Sequence, residues 1–319
     1  MNLLITTICN RKCRFCFAKM RLAGKQATPF MSRKMINDVM DMLQKEDGRQ
    51  LRLLGGEPTL HPEFSEIVDA AIERGLDVLV FSNGMMPEKS IAAIERHPVE
   101  KISILCNISP QADDHPSLIK RREEALKRLG CRMVPGVTIS NIEEEIDIGQ
   151  YLESIEKFGM KKQIRVGIAQ PIVGKDNEHI HPKDYPKIGG IIVKMARQCI
   201  EKEVLLGFDC GMTPCMFSGD QWEVVMTCTS GYRSQCAPII DLGPDGNLWH
   251  CFPLSEVFNE KLSSFSKRTE IVELYEKRMK PFHQFGCSPA CVRCKFKRRG
   301  LCRGGCLAHA IQGANYSGK

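Results

Sequence analysis

Asn2-Leu3-Leu4-Ile5-Thr6 runs directly into Thr7-Ile8-Cys9-Asn10-Arg11-Lys12-Cys13-Arg14-Phe15-Cys16. The first five residues are mostly apolar or β-branched and read as a short strand. The adjoining loop holds three cysteines, with three residues between Cys9 and Cys13 and two between Cys13 and Cys16. A loop of this length can wrap three thiolates around one face of an iron–sulfur cubane and leave one iron open to a non-protein ligand. Zinc is the other reading of clustered thiols, but closed zinc sites prefer four protein ligands. No fourth Cys or His lies nearby in the sequence, the nearest histidine being His61.

Outward from this loop, strand-like and helix-like runs alternate. The strand candidates are Asn2–Thr6, Gln50–Leu54, Asp77–Phe81, Lys101–Cys106, Arg132–Ile139 and Ile164–Ala169. The helix candidates are Ser32–Lys45, Pro62–Arg74, Glu88–Arg96, Pro116–Leu129, Ile142–Phe158 and Lys183–Lys202. Ser32 is placed as an N-cap before Met35, Ile36, Val39, Met40 and Leu43, which share one helical face. Pro62 suits a first helical turn, and Gly75 and Gly130 sit where helices should stop. Six β-α repeats predict an α/β fold, an open six-unit partial barrel with a parallel sheet and right-handed crossovers. Functional groups then gather beyond the C-terminal strand ends.

After about residue 205 the alternation stops, and Gly243-Pro244-Asp245-Gly246 marks a hairpin-like turn. The division expected is 1–205 for the barrel and 206–319 for a small cysteine-rich domain held together by metal. The chain has 319 residues, 16 of them cysteines, with three in 9–16 and five in 287–306. A chain this long needs no disulfides to stabilise its core. Nothing near Met1 resembles a signal peptide, and no apolar run approaches the roughly 18 residues of a membrane span. The expected compartment is therefore the cytoplasm, with no membrane partner, where tight cysteine groups read as metal or catalytic sites. The net charge of +7 is mild, and part of it is local to Arg293, Lys295, Lys297, Arg298, Arg299 and Arg303. Cations beside an anionic thiolate cluster explain that run, and nucleic acid is not the expected partner.

The C-x3-C-x2-C loop after strand one, with Phe15 just before the third cysteine, resembles the signature of the radical S-adenosylmethionine (SAM) superfamily. The resemblance implies a [4Fe–4S] cluster on Cys9, Cys13 and Cys16, with SAM chelating the open iron. It implies reductive cleavage of SAM to a 5′-deoxyadenosyl radical that abstracts a substrate hydrogen atom, and Phe15 near the adenine. Gly55-Gly56-Glu57-Pro58 after strand two is similar to the family's GGEP element, whose backbone meets the SAM amino group; glycines permit such close approach. Ser82-Asn83-Gly84 resembles the ribose-contacting segment, and Asn107, Ser109 and Arg122 are further candidate SAM contacts. The resemblance covers about residues 1–205.

Downstream, Cys236 is followed by nine residues, Gly246, four residues and Cys251. Then come Cys291-x2-Cys294, seven residues, Cys302, three residues and Cys306. This pattern resembles a SPASM domain, the auxiliary-cluster extension of sulfatase-maturating enzymes and many peptide maturases. It departs in the seven-residue gap and in lacking a cysteine after Cys306. The resemblance implies one auxiliary [4Fe–4S] cluster on Cys236, Cys251 and Cys306, with Cys228 as the fourth ligand. It implies a second on Cys291, Cys294 and Cys302, with Cys287 as the fourth ligand or else substrate or a vacant position. A zinc ribbon from the last cysteines is the alternative.

Cys210 is a candidate hydrogen donor or ligand, Asp209 a candidate general base, and Cys215 a weaker candidate. Cys106, Cys131 and Cys199 read as core, and His61 as structural. The functional expectation is a radical SAM oxidoreductase that oxidises or cross-links a side chain of a ribosomally made peptide. The alternatives are a radical SAM dehydrogenase or carbon–carbon bond former on a small molecule, and a non-enzymatic electron-transfer module. The expected partners are the peptide or small-molecule substrate and a low-potential electron donor of flavodoxin or ferredoxin type. Strand one starts at residue 2 and leaves no room for an N-terminal recognition domain, so a separate peptide-recognition protein is also expected.

Overall fold

The computed structural model describes residues 1–18, 28–109, 111, 113–143 and 146–313. The strands are β1 (Asn2–Thr6), β2 (Gln50–Gly55), β3 (Asp77–Ser82), β4 (Ile102–Asn107), β5 (Met133–Ile139), β6 (Gln163–Ile168), β7 (Leu205–Phe208), β8 (Thr229–Gly231), β9 (Asp241–Leu242), β10 (Asn247–Trp249) and β11 (Asn259–Lys261). They form one sheet in the order β11-β10-β9-β1-β2-β3-β4-β5-β6-β7-β8. From β9 to β8 all neighbours are parallel, and only β10 and β11 run antiparallel. Its first and last strands do not pair, so the sheet is an open partial barrel.

The crossover helices are α1 (Arg33–Lys45), α2 (Phe64–Glu73), α3 (Glu88–Glu95), α4 (Pro116–Leu129), α5 (Gly149–Phe158) and α6 (Tyr185–Glu201). Beyond them lie α7 (Gly219–Thr227), α8 (Arg268–Met279), α9 (Lys295–Arg298) and α10 (Leu307–Gly313). Period-two strands divide the sheet into two faces. Val78, Val80, Ile102, Ile104, Met133, Val137, Ile164 and Val166 are buried in one core with the helices. Each such side chain contributes roughly 1.5–3 kcal/mol on burial. The alternate set, including Leu79, Phe81, Leu105, Val134, Thr138 and Arg165, stays half-buried on the inner face.

The expected strands and most expected helices are present. Ser32 caps α1, its hydroxyl accepting from the Met35 amide at 3.3 Å. Four local expectations are corrected. Helix α2 starts at Phe64, because the ring of His61 accepts the Glu63 amide at 3.2 Å and holds Pro62 in the preceding turn. Helix α5 starts at Gly149 rather than Ile142. Asn141 and Asp147 each bond an amide two residues on, at 2.9 Å, and such turns compete with helix. Residues 144 and 145 of that expected helix lie outside the described residues. Gly130 continues into a 3-10 turn at φ −50°; a Cβ there would stand 2.0 Å from the Phe158 carbonyl oxygen, so contact rather than helix termination demands glycine. Cys106 and Cys199 are buried as expected, whereas Cys131 is exposed.

The strand pattern also outlasts residue 205. β7 and β8 extend the parallel run, and the Gly243–Gly246 turn joins β9 to β10 in a hairpin that docks on β1. Trp249 and Phe252 from this hairpin pack with Leu4, Ala18 and Leu54, and Cys16 packs against the same group.

Candidate metal centres

The loop carrying Cys9, Cys13 and Cys16 is built against the end of β2. The Gly56 amide donates to the Thr6 carbonyl at 2.9 Å, and the Glu57 amide donates to the Ile8 carbonyl at 2.8 Å. A Cβ on Gly55 would lie 2.6 Å from the Thr6 oxygen. One on Gly56 would lie 2.3 Å from the Ile8 oxygen and 2.8 Å from the Cys9 Cβ. Both glycines are thus required for the loop to close on the strand end. The three cysteines are half-buried. Burial pushes the Cys9 thiol up to about 12, and the carboxylate of Glu57 and the thiols of Cys16 and Cys13 add to the rise. Burial likewise raises Cys13. Thiols that resist ionisation alone bind metal with release of protons. The Arg11 amide, 3.4 Å from the Cys9 sulfur, supplies a donor to it. Three thiols on one loop fit an iron–sulfur cluster with one iron left open. Phe15 is half-buried beside Cys16.

Glu57 is fully buried, and its carboxylate ties β2 to β3. Oε1 accepts from the Thr59 hydroxyl at 2.7 Å and the Ser82 hydroxyl at 2.9 Å; Oε2 accepts from the Asn83 amide at 2.8 Å. The Asn83 side-chain amide donates to Asn10 Oδ1 at 2.8 Å, and Asn10 donates to the Met85 carbonyl at 2.9 Å. Ser82, Asn83 and Glu57 therefore shape the cysteine loop from behind. Pro58 opens a buried turn immediately beyond them.

Arg11 ties the same loop to β4. Its side chain is 2% exposed and forks onto Asp114, with Nε–Oδ1 and Nη2–Oδ2 both at 2.7 Å. It also donates to the Ser109 carbonyl at 2.6 Å. Asn107 Oδ1 accepts the Ser109 amide at 3.2 Å, and the Ser109 hydroxyl meets the Tyr151 hydroxyl at 2.7 Å. Arg122 lies 3.6 Å from Asp114, and its Nη1 is buried without a hydrogen-bond partner among the described residues. Burial and the nearby Arg11 guanidinium hold Arg122 below the ordinary arginine range. A buried cation with an unused donor suits an anionic ligand group such as a carboxylate. Asn10, Arg11 and Asp114 were not singled out in the sequence, because their partners are distant along the chain.

Four other thiols gather near β9 and β10. Cys236, Cys251 and Cys306 pack around one small apolar cluster with Leu254, Met279 and Leu307. Burial pushes Cys251 far above its usual value, and Cys236, Cys306 and Cys210 act on it next. Cys306 is raised by burial and then by Cys236 and Cys210. Solvent reaches Cys210 at the rim, yet the protein around it still pushes its thiol up to about 12. The fourth thiol here is thus Cys210. Cys228, expected in that place, is 2% exposed in the main core, where it acts on Cys199.

A second group lines a small cavity: Cys215, Cys287, Cys291, Cys294 and Cys302, with Lys297 beside them. Cys287 and Cys291 share a thiol hydrogen bond that pulls Cys291 down to about 6 and pushes Cys287 up. Gly286 and Gly304 interlock: a Cβ on Gly304 would stand 2.6 Å from Gly286 Cα, and one on Gly286 would stand 2.5 Å from Cys291 Cβ. Cys215, expected to be of less consequence, is a fifth thiol at this cavity. Among the described residues no three Cys, His, Asp or Glu side chains converge closely enough to hold a single ion. A cubane binds each thiolate to a different iron, so its ligands need not converge on one point.

Asp209 does not stand free as a base, because it is ion-paired with Arg165. His61 bonds to the Met31 carbonyl at 3.1 Å and is structural.

Residues 3–141 match the family model described as the Radical SAM superfamily. This part of the chain is therefore similar to that superfamily. It is 29% identical over 106 residues to a GTP 3′,8-cyclase of Mannheimia succiniciproducens, covering 33% of this chain and 32% of that protein. It is 30% identical over 89 residues to the mycofactocin maturase MftC of Mycobacterium ulcerans, covering 28% of this chain and 23% of that one. These matches span about a quarter to a third of the curated relatives' length. The chain also shares a fold with Streptococcus suis SuiB bound to S-adenosylmethionine. That likeness has a TM-score of 0.69 at 14% identity and covers 97% of this chain and 73% of the other. The AdoMet-bound anSMEcpe structure gives a TM-score of 0.63 at 16% identity, covering 96% and 86%. No helix among the described residues is long and apolar enough to cross a membrane.

Proposed function

We propose that this protein is a radical SAM enzyme that modifies a peptide side chain, oxidising or cross-linking it. The observation that carries the reading is the three-cysteine loop, clamped by Gly55 and Gly56 at the end of an open parallel sheet whose inner face is half-buried. When bound, a [4Fe–4S] cluster with S-adenosylmethionine supplies a 5′-deoxyadenosyl radical, the agent of hydrogen abstraction. Cys9, Cys13 and Cys16 hold the cluster, and Arg11 and Asn83 fix their loop. Gly55 to Pro58, Ser82, Asn83, Asn107, Ser109 and Arg122 surround the SAM position, with Phe15 against its adenine.

Residues 206–319 form an auxiliary-cluster domain of SPASM type on this reading. One cluster takes Cys210, Cys236, Cys251 and Cys306. The other takes Cys291, Cys294 and Cys302 with Cys287, and Cys215 stands by as an alternative ligand. A low-potential flavodoxin or ferredoxin supplies electrons. The mycofactocin maturase match supports a peptide substrate, as does the fold shared with SuiB, which has been seen bound to its precursor peptide SuiA.

The test is anaerobic incubation of the reconstituted protein with SAM and dithionite. The expected product is 5′-deoxyadenosine, and its absence overturns the enzyme reading. A leader-like peptide encoded beside the gene should then lose two hydrogens in mass. Turnover of a small molecule in its place would overturn the peptide assignment alone.

A further inference from the structure

The inner face of the sheet carries a cation on a floor of glycine. In register, Arg165 on β6 has Gly136 of β5 on one side and Gly207 of β7 on the other. The next residue of β6 on the same face is Gly167. The guanidinium lies over the ring of Phe81, 5.2 Å from its centroid, and the side chain is 33% exposed. Its hydrogen bond to Asp209 runs through Nε, and among the described residues neither Nη atom has a protein partner.

The space beside it is open. A Cβ on Gly136 would meet only backbone atoms, the nearest at 3.7 Å, so no side chain covers that position. By contrast, Asp209 fills the space over Gly167 and the Gln163 amide fills that over Gly207. Arg52 on β2 faces the same interior. It is exposed, bonds to Gln50 at 2.9 Å, and has no carboxylate partner among the described residues. Leu79, Leu105 and Val134 supply apolar walls. Arg52 and Arg165 share this face with the carboxylates of Asp209 and Asp241, and Asp241 is held by Asn2 at 2.8 Å.

We infer that Arg165, in register with the open position at Gly136, binds a carboxylate of the substrate through its two free Nη groups. The paired Nη donors match the two oxygens of a carboxylate, and the glycine floor leaves room for the chain that bears it. Gly136 pairs with Asn107, the residue whose carbonyl accepts from Arg11 of the cysteine loop at 3.5 Å. Arg165 is therefore two strands, about 10 Å, from the SAM end of β4. A carboxylate anchored there sets which neighbouring carbon of the substrate reaches the SAM position.

This inference rests on reading the inner face as the substrate chamber, but it is measured by binding and not by radical formation. Failure of the enzyme reading appears as absent 5′-deoxyadenosine, and failure of this one as absent carboxylate selectivity. The experiment titrates the reconstituted protein with N-acetyl-Leu-Glu-Leu-amide, its Gln counterpart and hexanoate, followed by ligand-detected NMR. The Glu peptide should bind about tenfold more tightly than the Gln peptide, as expected for losing a charge-assisted bond. Arg165→Gln should abolish that preference.

Because Arg165→Gln leaves Asp209 without its cation, Arg165→Gln/Asp209→Asn serves as the charge-balanced control and should behave alike. Gly136→Leu leaves the ion pair intact and should weaken the Glu peptide by filling the space. Arg165-dependent binding of hexanoate but not of the Glu peptide assigns the same site to a free small acid. Equal binding of the Glu and Gln peptides, a preference that survives in the Arg165 variants, or no binding by any of the three probes overturns the proposal.

Discussion

The ion pair of Arg11 with Asp114 is buried on both sides, with side chains 2% and 4% exposed. Removing one partner of such a pair strands the other charge. Asp114→Asn should therefore cost about 3 kcal/mol, read as a lower urea midpoint, and should loosen iron at the first loop. Asp241 offers a pH test. Burial raises its carboxyl to about 7, against the bonds from Asn2 and Trp249 that favour its charge. The folded state then holds this proton more tightly than the unfolded chain does. That contribution is present below about pH 4 and lost as pH rises through 7. The comparison with Asp241→Asn isolates the carboxyl: the melting point of the variant should gain on wild type between pH 5 and pH 8. At this scale the cysteine spacing and the Gly-Gly-Glu-Pro element were legible, since a short loop carries their meaning. Arg11 was not, because Asp114 is 103 residues away. Cys228 was the fourth ligand that the resemblance implied, and only the folded chain shows Cys210 beside the group and Cys228 in the main core.

Elements in this molecule are joined by backbone contacts that tolerate no side chain. Gly56→Ala would press a methyl group to 2.3 Å from the Ile8 oxygen. The expected cost is about 1–3 kcal/mol, with loss of iron from the first loop and retention at the C-terminal sites. Iron analysis beside a denaturation curve checks both. The six long strands were legible because apolar residues alternate over five or more positions, and α1 because its apolar stripe follows a serine cap. β8 to β11 were not. They are two or three residues each, too short for a period, and exist by pairing with strands already in place. Gly130 was legible as a special position, but not for its reason, which lies in the approach of Phe158 from another helix.

At the scale of the whole molecule, one sheet carries the N-terminal cysteine loop and the C-terminal hairpin together. Trp249 and Phe252 bring the hairpin to the packing group of Cys16, so the proposed auxiliary domain braces the first site. The change from regular α/β alternation to a cysteine-rich region was legible as a shift in composition. That the two share a sheet was not, since β9 finds β1 across about 240 residues, a pairing no local pattern encodes. Cys210→Ala should lower the iron content while Cys228→Ala leaves it unchanged, the one thiol standing in a cysteine group and the other in the core. The most direct test of the account is an iron and sulfide count on anaerobically reconstituted protein, wild type against Cys9→Ala/Cys13→Ala/Cys16→Ala. The account predicts about twelve irons falling to about eight, one four-iron cluster lost and two retained. An iron content that the triple change leaves unaltered would contradict it.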